Sequence, residues 1–138
     1  MIRFLKDKLA LGRLEASVMD IVWLRGESSV RDVSEQIARP LAYTTVMTTL
    51  DRLYKKGLLH RRKVERAFLY SPALTRREWE QKRAGNLLAG ILASRQHSSE
   101  LLISCLVDAV GAKDAALLDE LERKIRIKRR ELERKEGE

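Results

Sequence analysis

Apolar positions recur with helical spacing in six stretches of the chain and alternate like a strand pair in one. From Gly12 to Leu24, the residues Leu14, Val18, Ile21, Val22 and Trp23 follow helical periodicity, while Arg13, Glu15 and Asp20 fall elsewhere on the wheel. This predicts a first amphipathic helix. RGESS reads as a short loop, and VRDVSEQIA as a second helix opened by Ser29 and Asp32, a capping box built with aspartate. Val30, Val33 and Ile37 share its apolar face, and Pro40 is expected to end it.

The third helix, AYTTVMTTLDRLYKK, turns Val46, Leu50 and Leu53 to one side, with Tyr43 and Tyr54 at the border and Met47 and Tyr54 read as packing residues. Thr44, Thr48, Asp51, Arg52 and Lys55 occupy the opposite side. Threonine is a mediocre helix former, so four of them at Thr44, Thr45, Thr48 and Thr49 need a reason other than propensity. Gly57 suits the left-handed position after the last turn. In LLHRRKVERAFLYSP, β-formers alternate with cations, which predicts strands over 58–63 and 67–71 joined at Val64, Glu65 and Arg66 and closed by Pro72. The turn has neither the glycine nor the asparagine that tight hairpins favour.

Beyond Pro72, Thr75 and Glu78 form a second capping box, opening a helix to about Arg95 with Trp79, Leu87, Leu88, Ile91 and Leu92 apolar. RQHSS breaks the pattern. Ser99 can cap ELLISCLVDAV, apolar at Leu102, Cys105, Leu106, Ala109 and Val110, with Gly111 closing it. Asp114 starts a last helix bearing Leu117, Leu118, Leu121 and Ile125, and its charged end KRRELERKEGE is expected to fray.

The pattern describes a mostly α protein with a boundary near residue 75. Over 1–74, three helices and a basic hairpin can close around one core as a winged helix-turn-helix. Over 75–138, the helices lack a compact partner in the chain, and self-association is the simplest source of one. The candidate dimerisation positions are Leu88, Ile91, Leu92, Leu102, Leu106, Val110, Leu117 and Leu121.

Composition agrees: 138 residues, 44% hydrophobic and 35% charged, with 5% aromatic and two prolines, fit a mostly helical globular chain. Charge adds a partner. The net value is +8, and between Arg52 and Arg66 seven cations face one anion, Glu65, which attracts a polyanion. With the third helix in a DNA groove, Thr44 and Thr48 would allow close approach to phosphates and base edges, and Arg52 and Lys55 would lie along the same face. The hairpin would neutralise phosphate without reading sequence. Asp51 is expected to pair with a neighbouring cation. Charge alone would equally suit a non-specific nucleic-acid or nucleoid-binding protein, and the leucine-rich helices a module that binds another protein.

Other chemistry is sparse. Cys105, the single cysteine, is read as a small buried hydrophobe and fits a reducing, cytoplasmic setting. His60 and His97 have no partner at ligand spacing, so neither metal nor cofactor is expected. No catalytic motif is present, so no enzyme is expected. No apolar run approaches the ~18 residues of a membrane span.

LGRLEASVMDIVW, AYTTVMTTLDRLYKKGLL and RRKVERAFLYSP together resemble the penicillinase repressor family, BlaI/MecI, over about the first 72 residues. The resemblance implies an N-terminal winged helix, a C-terminal helical dimerisation region, and a homodimer on inverted-repeat operators of TACA/TGTA type that represses β-lactamase or related genes. It places recognition-helix contacts on Thr44, Thr45 and Thr48, Thr45 by resemblance alone, and wing contacts among Arg62, Lys63 and Arg66. It also implies a membrane-bound β-lactam sensor that triggers proteolysis at an Asn-Phe bond, whose aligned place here is Cys105-Leu106. The clustered C-terminal cysteines of the related copper-responsive repressors are missing, and the wing turn departs from the glycine usual in relatives.

Overall fold

The computed structural model describes residues 9–94, 96 and 98–138. Arg95, the expected end of the fourth helix, His97 and the first eight residues lie outside these. The described chain divides into two compact units, one ending at Leu88 and one running from Ala89 to Glu138.

In the first unit, α1 (Arg13–Arg25) follows Gly12, whose N–H donates to a Glu15 carboxylate oxygen at 3.3 Å. RGESS is more than a loop: Ser28–Ser29 form a two-residue strand, β1. Ser29 then caps α2 (Val30–Gln36) reciprocally, its hydroxyl accepting from the Asp32 N–H at 3.1 Å while its own N–H donates to Asp32 at 2.9 Å. The helix stops at Gln36, short of Pro40, because Ile37 has already turned to extended backbone. The third helix, α3 (Tyr43–Lys55), ends where Gly57 takes φ +83°. β2 (Leu59–Val64) and β3 (Ala67–Pro72) follow as the hairpin, so Val64 belongs to the strand and only Glu65 and Arg66 turn.

β3 is the central strand of an antiparallel sheet ordered β1-β3-β2. Val18, Met19, Val22, Val46, Leu50, Leu53, Leu58 and Tyr70 are buried beneath it, so the expected faces of α1 and α3 do meet in one core. Met47, expected to pack, is instead 43% exposed at the edge of the helix face.

α4 (Arg76–Ala93) begins in this unit. Its Trp79 stacks at a tilt on Trp23, centroids 5.5 Å apart, and donates its indole N–H to the Leu9 carbonyl at 2.8 Å. Trp23 donates in turn to the Leu74 carbonyl at 2.8 Å.

The second unit holds the end of α4, α5 (Ser99–Lys113) and α6 (Ala116–Glu136). Ser98, rather than Ser99, is the cap, accepting from the Leu101 N–H at 3.1 Å. Gly111 lies inside α5 instead of ending it, and the residue that stops the helix is Asp114, in extended backbone. Asp114 accepts from the Ala116 N–H at 2.9 Å and so precedes α6, which stays helical to Glu136 where fraying was expected. Ion pairs at helical spacing, Arg123–Glu120, Arg126–Glu122 and Lys128–Glu131, support the helix through its middle and into the start of that end.

No residue of α4, α5 or α6 is buried within the single chain. Cys105, expected inside, is exposed for that reason. So are Leu88, Ile91, Leu92, Leu106 and Leu117, while Leu102, Val110 and Leu121 are half-buried. No helix among the described residues is long and apolar enough to cross a membrane.

Candidate nucleic-acid interface

The helical repeat splits the α3 threonines into two kinds. Thr49 faces the core, 5% exposed, and its hydroxyl donates to the Thr45 carbonyl at 2.8 Å, so a buried polar group is satisfied inside its own helix. Thr44, Thr45 and Thr48 are exposed and, with Arg52 and Leu14, line one shallow open hollow beside Thr49. Thr45, which only the resemblance set beside Thr44 and Thr48, therefore shares a surface with them.

The hairpin presents its cations on two faces. Strand alternation puts Arg61 and Lys63 on the side of buried Leu59, opposite Tyr70 and Phe68, and sends Arg62 to the other side, opposite Leu69. Arg62 and Lys63, expected together as wing contacts, thus point apart. At the tip Glu65 takes φ +57°, the left-handed region that a non-glycine residue enters at a cost of about 1 kcal/mol. Arg66 follows it and is exposed.

Four of the seven clustered cations have partners. Lys56 pairs with the largely buried Glu15 at 2.7 Å, tying the end of α3 to the start of α1. Asp51 pairs as expected with neighbouring cations: Lys55 at 2.9 Å on its own helix and Arg61 at 2.9 Å from the hairpin. Lys55 and then Arg61 hold the Asp51 carboxyl below its ordinary range. Glu27 accepts two hydrogen bonds from Arg62, at 2.8 and 2.6 Å. Among the described residues Arg52, Lys63 and Arg66 form no ion pair.

Arg61 escaped the sequence reading as a site residue. Its guanidinium lies 3.9 Å from the Tyr54 ring centroid and 4.3 Å from that of Phe68, bridging α3 and the hairpin by cation–π contact. Strand parity could have found its direction, since it shares a face with apolar Leu59. Glu27 was equally unmarked, and no local pattern joins it to Arg62, 35 residues away.

A helix face of small hydroxyls and one free arginine, beside a two-stranded wing with free cations at its tip, can follow a duplex groove and its backbone. The family profile described as penicillinase repressor matches residues 11–126. The chain belongs to the penicillinase repressor family. It is 40% identical over 113 residues to the transcriptional regulator BlaI of Mycobacterium tuberculosis, covering 78% of this chain and 79% of that one. It is 29% identical over 76 residues to the methicillin resistance regulatory protein MecI of Staphylococcus aureus, covering 54% of this chain and 62% of MecI. The solution structure of the DNA-binding domain of the repressor BlaI aligns at a TM-score of 0.47 and 27% identity, over 53% of this chain and 92% of that domain. As a penicillinase repressor, the chain is a DNA-binding transcriptional regulator and not an enzyme.

Proposed function

We propose that this repressor acts in the cytoplasm as a homodimer on an inverted-repeat operator, blocking polymerase at β-lactamase or related resistance and stress genes. Residues 1–74 are the DNA-binding domain and 75–138 the dimerisation region. Thr44, Thr45, Thr48 and Arg52 read the major groove, with Lys55 beside them. Lys63 and Arg66, with Arg62, hold the backbone. The observation that carries this reading is the placement of the exposed hydroxyl face of α3 and the uncompensated cations of the wing tip on one compact unit.

Dimerisation rests on the apolar surface of α4–α6, Leu88, Ile91, Leu92, Leu102, Leu106, Val110, Leu117 and Leu121, none of it buried within one chain. A second copy would bury that surface and would set two reading helices a whole number of helical turns apart. For release, a β-lactam sensor–protease pathway acting at the aligned place would meet Cys105-Leu106, mid-way along α5, where the family has an Asn-Phe bond, so its protease would have to accept a different bond. A protease needs extended chain, so α5 would have to open locally first.

Competition on DNA tests the function. A duplex carrying a TACA/TGTA inverted repeat should outcompete random duplex by ~10³ or more at physiological salt. Equal competition would favour the non-specific nucleic-acid reading. Sedimentation should show a dimer at micromolar concentration, and a monomer would favour helices that bind a different protein.

A further inference from the structure

The Glu27–Arg62 pair concerns the wing and rests on the DNA-binding reading above. Arg62 offers its guanidinium fork, Nε–H to one Glu27 oxygen at 2.8 Å and Nη2–H to the other at 2.6 Å. This is the two-pronged geometry by which arginine also grips a phosphate. The donors that a DNA backbone would use are therefore already engaged by a carboxylate.

Glu27 is not on a loose loop. Gly26, at φ +85°, donates its N–H to the Val22 carbonyl at 2.8 Å, and Ser28 on the other side pairs with Tyr70 in the sheet. The carboxylate is thus held beside β3, on whose far side β2 carries Arg62. Both side chains remain open to water, 38% exposed for Glu27 and 63% for Arg62, so a phosphate can reach the pair. Of the other wing cations, Arg61 pairs with Asp51 of α3, and Lys63 and Arg66 have no carboxylate partner among the described residues.

We propose that Glu27 is an internal phosphate mimic that masks Arg62 and sets the wing's affinity for DNA. In the free protein it neutralises that cation. A backbone phosphate must displace it and also meets its negative charge. The mask weakens binding to any duplex, and it weighs most on non-specific complexes, which depend on phosphate contacts alone. Glu27 touches no base, so it acts on specificity through Arg62.

The test uses the full chain and a random-sequence duplex, with affinity followed by fluorescence anisotropy across a salt series. Glu27→Gln should bind more tightly than wild type at every salt concentration. Its log–log salt slope should steepen by about 0.9, one further released counterion, so that its advantage shrinks about threefold between about 50 and 200 mM salt. Arg62→Ala should cost more affinity in the E27Q background than in wild type. Glu27→Ala must give the same slope change, which separates the mask from a local packing effect.

Weaker binding by both variants, or an unchanged slope with additive Arg62→Ala losses, overturns the mask and would mean that Glu27 only orients Arg62. Wild-type protein that fails to bind duplex at low salt would instead overturn the DNA-binding assignment on which the mask depends.

Discussion

Replacing Trp79 with alanine should destabilise the N-terminal unit by about 4 kcal/mol, although the residue lies beyond the winged helix proper. Half-burial of an indole removes on the order of 100 Å² of apolar surface from water, worth about 2.5 kcal/mol. The hydrogen bond from its ring N–H to the Leu9 carbonyl adds about 1 kcal/mol. The tilted contact with Trp23 adds roughly as much. Trp79→Phe keeps a ring and loses the donor, so it should cost about 1–2 kcal/mol. The chain has two tryptophans, so in either variant Trp23 alone reports the unfolding of this unit by fluorescence in a urea titration. A shift below about 1 kcal/mol for Trp79→Ala would refute the reasoning, and the first turns of α4 would then not belong to the DNA-binding unit.

Lys63→Ala should weaken binding to operator and random duplex alike and lower the salt slope by about one, whereas Thr44→Val or Thr48→Val should change sequence preference; equal losses on both duplexes for both classes would end that division of labour. Glu65→Gly should relieve the left-handed strain at the wing turn and, after the entropy cost of glycine in the unfolded chain, raise stability by up to about 1 kcal/mol in thermal melts. A lower melting point would contradict it. For Asp51 the folded carboxyl titrates below its ordinary 3.8 because of Lys55 and then Arg61. Its contribution is present above that value and is lost as pH falls from about 4 through the lower folded value. Asp51→Asn should therefore flatten the acid limb of the stability curve, and an unchanged limb would count against the pairing.

Local pattern carried much of this protein. The spacing of Val18 and Val22, of Val46, Leu50 and Leu53, and the Ser29–Asp32 cap needed nothing beyond their own turns, and each recurs in the structure. The hairpin and the direction of Thr44 and Thr48 were legible for the same reason: strand and helix periods depend on backbone geometry alone. The unit boundary was less so, because Trp79 reads as one more apolar helix position until Trp23 and Leu9 stand against it.

Contacts between distant segments were decided only in three dimensions. Ser28 and Ser29 have no strand pattern and become β1 because β3 supplies the hydrogen bonds. The basic run from Arg52 to Arg66 looks uniform as a sequence, yet Glu15, Glu27 and Asp51 neutralise part of it and leave Arg52, Lys63 and Arg66 unpaired among the described residues. Sequence determined how many cations the chain carries and which way Thr44 and Thr48 face. Tertiary structure decided which cations are free to meet a phosphate, because ion pairing depends on ångström-scale distances between residues that the chain order keeps far apart.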